Sequence, residues 1–221
     1  MIKQIIVALT TEGTTDSRFL ESIIQRSFEN AAFDCAGQIE VLPVQYIEKQ
    51  SGDFIEVVKL NAQLAGNSGV MVLCIHSDAD DATDTNTFTD KINPAFTAVM
   101  DMQGKHICKS LVAIVPVHMT EAWMLSDTEL LKAEIGTDKS DQEVGIDGSP
   151  EVYSDPKDII EAVIRIARQD LTKRRRRDLT IGELYAPIGQ KVSLDALENL
   201  PSYRKFREAV RDVLKNLNYL H

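Results

Sequence analysis

Ile5-Ile6-Val7-Ala8-Leu9-Thr10-Thr11-Glu12-Gly13-Thr14-Thr15-Asp16 decides the reading of this chain: an apolar run stops abruptly at a small, polar, acidic turn. A second run, Val70-Met71-Val72-Leu73-Cys74-Ile75, stops in the same way at His76-Ser77-Asp78-Ala79-Asp80-Asp81. Short apolar runs bounded by turn signals fit strands buried on both faces of a parallel sheet. Ligands of open α/β sheets gather beyond the carboxyl ends of such strands. The two ends are therefore expected to bring Glu12, Asp16, Asp78 and Asp80 into one pocket. Crowded carboxylates repel one another unless a cation lies between them, and hard oxygen ligands suit Mg²⁺ or Mn²⁺.

The flanking sequence alternates strand and helix. Strands are expected over residues 4–9, 39–46, 70–75 and 111–117. Helices are expected over 14–30, 54–65 and 90–102, the first with Phe19, Ile23, Ile24 and Phe28 at near-helical spacing. Pro43 has no amide to give a ladder, which places the second strand at an edge. This order predicts a mostly parallel four-stranded α/β sheet with flanking helices, Rossmann-like in class. Residues 136–154, rich in Gly, Asp and Ser, read as a loop. Asp155-Pro156 reads as a helix start, with Asp as cap and Pro in the first turn. A last helix begins near Pro201 and carries Tyr203, Phe206, Val210 and Leu214 on one stripe. The division expected is an α/β core over 1–135 and a helical C-terminal extension over 136–221, packed on it.

Composition bounds the function. The chain has 221 residues, 43% hydrophobic and 26% charged, and a formal net charge of −10. Such acidity argues against a surface coated in nucleic acid. The expectation is a cytoplasmic protein without a membrane partner, since no apolar stretch approaches the roughly 20 residues a span needs. Met1 leads directly into the first strand, so no secretory signal is expected. Cys35, Cys74 and Cys108 lack paired metal spacing.

Several residues beyond the two turns bear on chemistry. Glu121, in the polar stretch after the fourth strand, is a further catalytic candidate beside Glu12, Asp78 and Asp80, and Thr120 is placed to cap the helix that begins there. Glu12, Asp78 and Asp80 are the expected metal ligands. Gly13 and Asp16 are expected to contribute to binding, Gly13 through the tight turn that exposes a helix N-terminus to an anion. His76 and His118, lone histidines at strand ends, read as structural, and Trp123 as core. Lys173-Arg174-Arg175-Arg176-Arg177 is a run whose natural counterpart is a phosphate backbone.

Glu12-Gly13-x-x-Asp16 after the first strand and Asp78-x-Asp80 after a later one resemble the Toprim domain of topoisomerases, primases and overcoming-lysogenization-defect-type nucleases. With Phe19-Leu20 following, the chain is most similar to the small stand-alone bacterial branch, which includes families of unassigned function. Glu121-Ala122-Trp123-Met124-Leu125-x-Asp127, Asp155-Pro156-Lys157 and Pro201-Ser202-Tyr203-Arg204-Lys205-Phe206 extend that likeness over most of the chain. One departure is that Asp81 and Ala82 follow the aspartate pair where many Toprim proteins have glycine.

The resemblance implies a Mg²⁺- or Mn²⁺-dependent nuclease, with Glu12 moving protons or touching metal, Asp78 and Asp80 as the metal pair, and DNA or RNA as partner. It also implies a role in phage defence or as a toxin-like effector. Two other classes stay open: a non-catalytic Toprim-fold module working with a partner protein, and a small-molecule phosphohydrolase. The chain has no Gly-x-x-x-x-Gly-Lys loop, so ATP hydrolysis would need a partner ATPase.

Overall fold

The computed structural model describes residues 2–48, 50–169 and 179–220. The basic run Lys173 to Arg177 lies outside the described residues. The first apolar run forms β1 (Lys3–Ile5) and β2 (Val7–Thr10), interrupted at Ile6. The second strand is likewise split, into β3 (Ile39–Val41) and β4 (Gln45–Tyr46), with Pro43 in the gap. With β5 (Val72–His76) and β6 (Leu111–Ile114), the main sheet runs β4-β2-β5-β6 and every pairing is parallel. β1 and β3 pair in parallel as a two-stranded sheet. Pro43 thus falls between two edge strands, where its missing amide breaks no ladder.

Alternation along the strands builds two cores. Val7 and Leu9 of β2, Val72 and Cys74 of β5, and Val112 and Ile114 of β6 pack on one face. Ala8, Leu73 and Ile75 pack on the other. The first face is covered by α1 (Thr14–Ala32), whose buried residues Asp16, Phe19, Leu20, Ile23, Ile24, Ser27, Phe28 and Ala31 form one stripe at helical spacing. Each of its five large apolar side chains contributes roughly 1.5–3 kcal/mol on burial. That sum fixes the rotation of the helix and carries Asp16 inward with it. The opposite face is covered by α2 (Phe54–Asn67), which buries Val58, Asn61, Ala62 and Ala65.

After β5 the chain forms α3 (Thr85–Thr87), a π-helical turn (Phe88–Ile92) and α4 (Asn93–Asp101), where one helix is expected over 90–102. Beyond β6 come α5 (Glu121–Met124) and α6 (Thr128–Ile135). The loop expected over 136–154 holds α7 (Asp141–Val144), started by a Ser140–Glu143 capping box, and a 3₁₀ turn (Pro150–Val152). α8 (Pro156–Ala167) begins as expected, the Asp155 side chain accepting from the Asp158 amide. α9 (Tyr185–Lys191), α10 (Leu194–Leu197) and α11 (Pro201–Asn216) complete the described chain.

These late helices pack against the sheet layer. α9 lies on α1, and α11 lies on β6 and α1. Arg26 of α1 donates to Gly189 O at 2.7 Å and Val192 O at 2.6 Å, satisfying carbonyls at the end of α9. Trp123 is fully buried against Tyr203 and Phe206, and its indole N–H donates to Ser202 Oγ at 2.7 Å.

Gly189 makes the contact between α9 and α1 possible. A Cβ there would stand 2.5 Å from Phe19 O and 2.8 Å from Phe19 Cα, both backbone atoms that cannot rotate away. Gly189→Ala should therefore destabilise the protein by more than about 1 kcal/mol, against the roughly 1 kcal/mol that alanine gains over glycine in helix propensity. Chemical denaturation decides between the two signs, because a more stable variant would mean that α9 and α1 are not in this contact.

Candidate metal centre

The carboxyl ends of β2 and β5 are adjacent, with Thr10 in register with Ile75. The chain leaves β2 toward the β4 side of the sheet and β5 toward the β6 side, so the crevice between them is the topological switch point. On the α1 side the alternation Val72, Cys74, His76 continues to the strand's last residue. There His76 meets Asp16, the first residue of the α1 stripe, and Asp78. One ligand atom from each of Asp16, His76 and Asp78 lies within 4.8 Å of the others. Among the described residues, these three form the group of His, Cys and carboxylate ligands that could hold a metal ion.

Asp78 Oδ1 is tied on several sides. It accepts from the Thr120 amide at 2.9 Å and from Thr120 Oγ1 at 3.3 Å, and lies 3.1 Å from His76 Nε2. His76 Nε2 is also 3.0 Å from Thr120 Oγ1. Thr120 makes no capping bond to α5; its hydroxyl serves the site instead. His76 Nδ1 is buried without a partner. Asp16 Oδ2 accepts from the Gly13 amide at 3.1 Å. The Gly13 backbone is extended, with φ −113°, so the glycine is not there for a left-handed turn. It is there for space, since a Cβ would come within 2.5 Å of Asp16 Oδ2 and push that carboxylate from its place.

Electrostatics follow from burial. Burial raises the Asp16 pKa, and the nearby charge of Asp78 adds to it, against the opposing pull of His76 and of hydrogen bonds from Thr120 and Gly13. Burial works against a charge on His76, but the hydrogen bond to Asp78 and the charges of Asp78, Asp16 and Glu12 outweigh it and raise its pKa. Burial likewise raises Glu121, with Asp78 and Asp16 contributing, while a hydrogen bond from the Tyr185 hydroxyl works the other way. Tyr185 is itself raised, by burial and then by Glu121.

The structure separates the acids singled out from sequence. Asp78 is in the ligand group and Glu121 is within electrostatic reach of it. Glu12 is displaced toward the α2 side: its Oε1 accepts from Ser77 Oγ at 2.8 Å and lies 3.7 Å from Lys91 Nζ. Glu12 is thus not one of the three grouped ligands, although its charge reaches His76 and helps raise its pKa. Asp80 is exposed and left-handed, with φ 52°, and its amide donates to His118 O. That backbone breaks the alternation that would bring Asp80 round to join Asp78. Asp16, expected in the same pocket, and His76 complete the group with Asp78. His76, read as structural from sequence, belongs to the site, and so does Tyr185 through Glu121. Lys205 of α11 donates to both oxygens of the buried Asp84 at 2.6 Å, anchoring the acidic loop to the last helix.

A cleft of about 340 Å³ opens on the α2 side, lined by Glu12, His76, Lys91 and residues of α2. No described helix is long and apolar enough to cross a membrane.

The family described as "Domain of unknown function (DUF4276)" matches residues 11–211, and the chain belongs to it. The match contains every residue of the centre. No curated protein and no solved structure matches the chain.

In metal-free protein the shifts of Asp16 and His76 act with one sign. Asp16, raised above its ordinary 3.8, binds its proton more tightly when folded, so stability falls as pH rises from that value through the raised one. His76, raised above 6.5, contributes stability that is complete below 6.5 and lost as pH rises through its folded pKa. Asp16→Asn, which keeps an acceptor for Gly13, should therefore stabilise the metal-free protein at about pH 8 by roughly 0.5–2 kcal/mol. Each kcal/mol appears as about 2–4 °C in melting temperature for a chain of this size. A lower melting temperature for the variant in chelator would show that Asp16 is held by a favourable partner rather than against repulsion.

Proposed function

We propose that this protein is a divalent-metal-dependent nuclease of Toprim kind, cleaving phosphodiester bonds at the carboxyl ends of β2 and β5. The observation that carries this reading is the group Asp16, His76 and Asp78, three ligand atoms within 4.8 Å of one another at the switch point of a parallel sheet. The group fits a cation by its own chemistry. It holds two carboxylates in a buried place that raises one of them, and a buried His76 Nδ1 without a partner. A positive charge relieves the crowding of the two carboxylates, and two oxygens with one imidazole suit Mn²⁺ and tolerate Mg²⁺.

When bound, such an ion neutralises phosphate charge and lowers the pKa of water beside it. The remaining work falls to the chain. Thr120 holds Asp78 by two donors, so the carboxylate keeps its orientation as the charge around it changes. Glu12, about one-third exposed beside the cleft, is the carboxylate placed to take a proton from an attacking water. Glu121, whose surroundings favour its protonated form, is placed to keep a proton for a leaving oxygen, with Tyr185 fixing its rotamer. Lys91 supplies a cation for a phosphate oxygen.

The test is an assay with Mn²⁺ or Mg²⁺ against single- and double-stranded DNA and RNA. Asp78→Asn should lower metal-dependent cleavage by about 100-fold or more, and Glu121→Gln by about 10²–10⁴-fold if it is the proton donor. Excess metal should raise the melting temperature of the wild type but not of Asp78→Asn, and more at about pH 8 than at pH 6, where a proton on His76 competes. Cleavage that persists in chelator or in Asp78→Asn would overturn the reading. Metal stabilisation without cleavage of any of the four substrates would favour a non-catalytic module.

A further inference from the structure

The cleft beside Glu12 differs in chemistry from the metal centre it adjoins. Its volume of about 340 Å³ falls in the range of small-molecule sites, about 300–1,000 Å³. Phe54, Val57 and Val58 of α2 and Ile75 of β5 give it apolar walls. The fully buried Asn61 is part of the lining. Its Nδ2 donates to Thr10 Oγ1 at 3.0 Å, while its Oδ1 has no partner. Asn61 stands on the stripe of Val58, Ala62 and Ala65, a position where an apolar side chain would be at home. An unpaired buried acceptor there is destabilising unless something arrives to donate to it. At the side of the cleft nearest Glu12 stands Lys91, a cation on the π-helical turn.

We propose that this cleft seats a nucleobase, which donates an amino N–H to Asn61 Oδ1 while its phosphate lies toward Lys91 and the metal centre. Apolar walls suit the two faces of a flat ring, and the Phe54 ring offers a surface for stacking. The unpaired Asn61 Oδ1 selects a ligand edge that bears a donor, and Lys91 selects an anion attached to it. A purely apolar ligand would leave Asn61 unpaired, and a free sugar phosphate would leave the walls uncovered. Only the direction assigned to the phosphate rests on the nuclease reading; the seating of the base does not.

The test is calorimetric titration of the wild-type protein, in chelator, with AMP, the purine ribonucleotide lacking the amino group, and ribose 5-phosphate. AMP should bind, the amino-free nucleotide at least about 10-fold more weakly, and ribose 5-phosphate without measurable heat. Asn61→Leu should fold with an unchanged or higher melting temperature yet bind AMP at least about 10-fold more weakly. Val57→Phe, at a half-buried wall position, should block AMP by filling the cleft while leaving Asn61 in place. Ribose 5-phosphate binding as tightly as AMP, wild-type protein that does not bind AMP, or undiminished binding by both Asn61→Leu and Val57→Phe would overturn the proposal. Metal-dependent cleavage without AMP binding removes the base pocket alone, whereas AMP binding without cleavage supports the pocket and removes the nuclease reading.

Discussion

One carboxylate oxygen, Asp78 Oδ1, joins the parts on which the centre depends. It receives the Thr120 amide and hydroxyl from beyond β6 and lies against His76 at the end of β5. Through Thr120 it fixes where the chain re-enters α5, and hence where Glu121 and the buried Trp123 stand. Through His76 it sets the charge that Asp16 meets across the crevice. Hydrogen bonds to a charged group are worth about 1.5–3 kcal/mol each, roughly twice a neutral bond. A single side chain can therefore hold two loop ends in register without any apolar core of their own.

The surrounding fold supplies the force that keeps unfavourable groups where they are. The α1 stripe would be more stable with an apolar residue at Asp16, and the α2 stripe with one at Asn61. Both helices are held by neighbours whose burial outweighs these costs several-fold. The late helices contribute to the same end. α9 seats Tyr185 against Glu121, Arg26 ties α9 to α1, and Lys205 ties α11 to the acidic loop through Asp84. The centre is thus a place of raised pKa values and unpaired atoms inside a frame that tolerates them.

Much of the frame was legible because it rests on periodicity. The apolar runs became the buried strands, Phe19 to Phe28 became the inward face of α1, and Pro43 lay at an edge. Within the site, proximity along the chain was a poorer guide than facing. Asp16 continues the stripe of Phe19, Leu20 and Ile23, and His76 continues the alternation of Val72 and Cys74. Both signals stand in the sequence and point to the same side of the sheet. Glu12 and Asp80 lack them: Glu12 accepts from Ser77, which alternates with His76, and the backbone at Asp80 is left-handed. Tyr185 had no such signal. Its helix spans seven residues, too few for a period to show, and its role comes from a contact with Glu121 across 64 positions of sequence. The Ser140–Glu143 capping box was a readable sign of α7 inside a stretch whose composition suggested only loop.

The π-helical turn between α3 and α4 gives the region after the acidic loop a particular kind of history and fragility. The Asn93 amide reaches back five residues to Phe88 O, so this turn holds one residue more than an α-helical turn would. Thr87, which donates to Ala79 O, and Ile92, which enters the core, both face inward although five positions separate them. In a uniform α-helix four positions would suffice. The turn is therefore the structural equivalent of a one-residue insertion absorbed without unravelling the helix, and Lys91 emerges from it beside Glu12. Removing Thr89 or Asp90, the exposed residues of this turn, would let the helix close into regular α geometry with both inward anchors kept. The core would barely register the loss, while the cleft would lose the register that presents its cation, so length at this point is a functional variable in its own right.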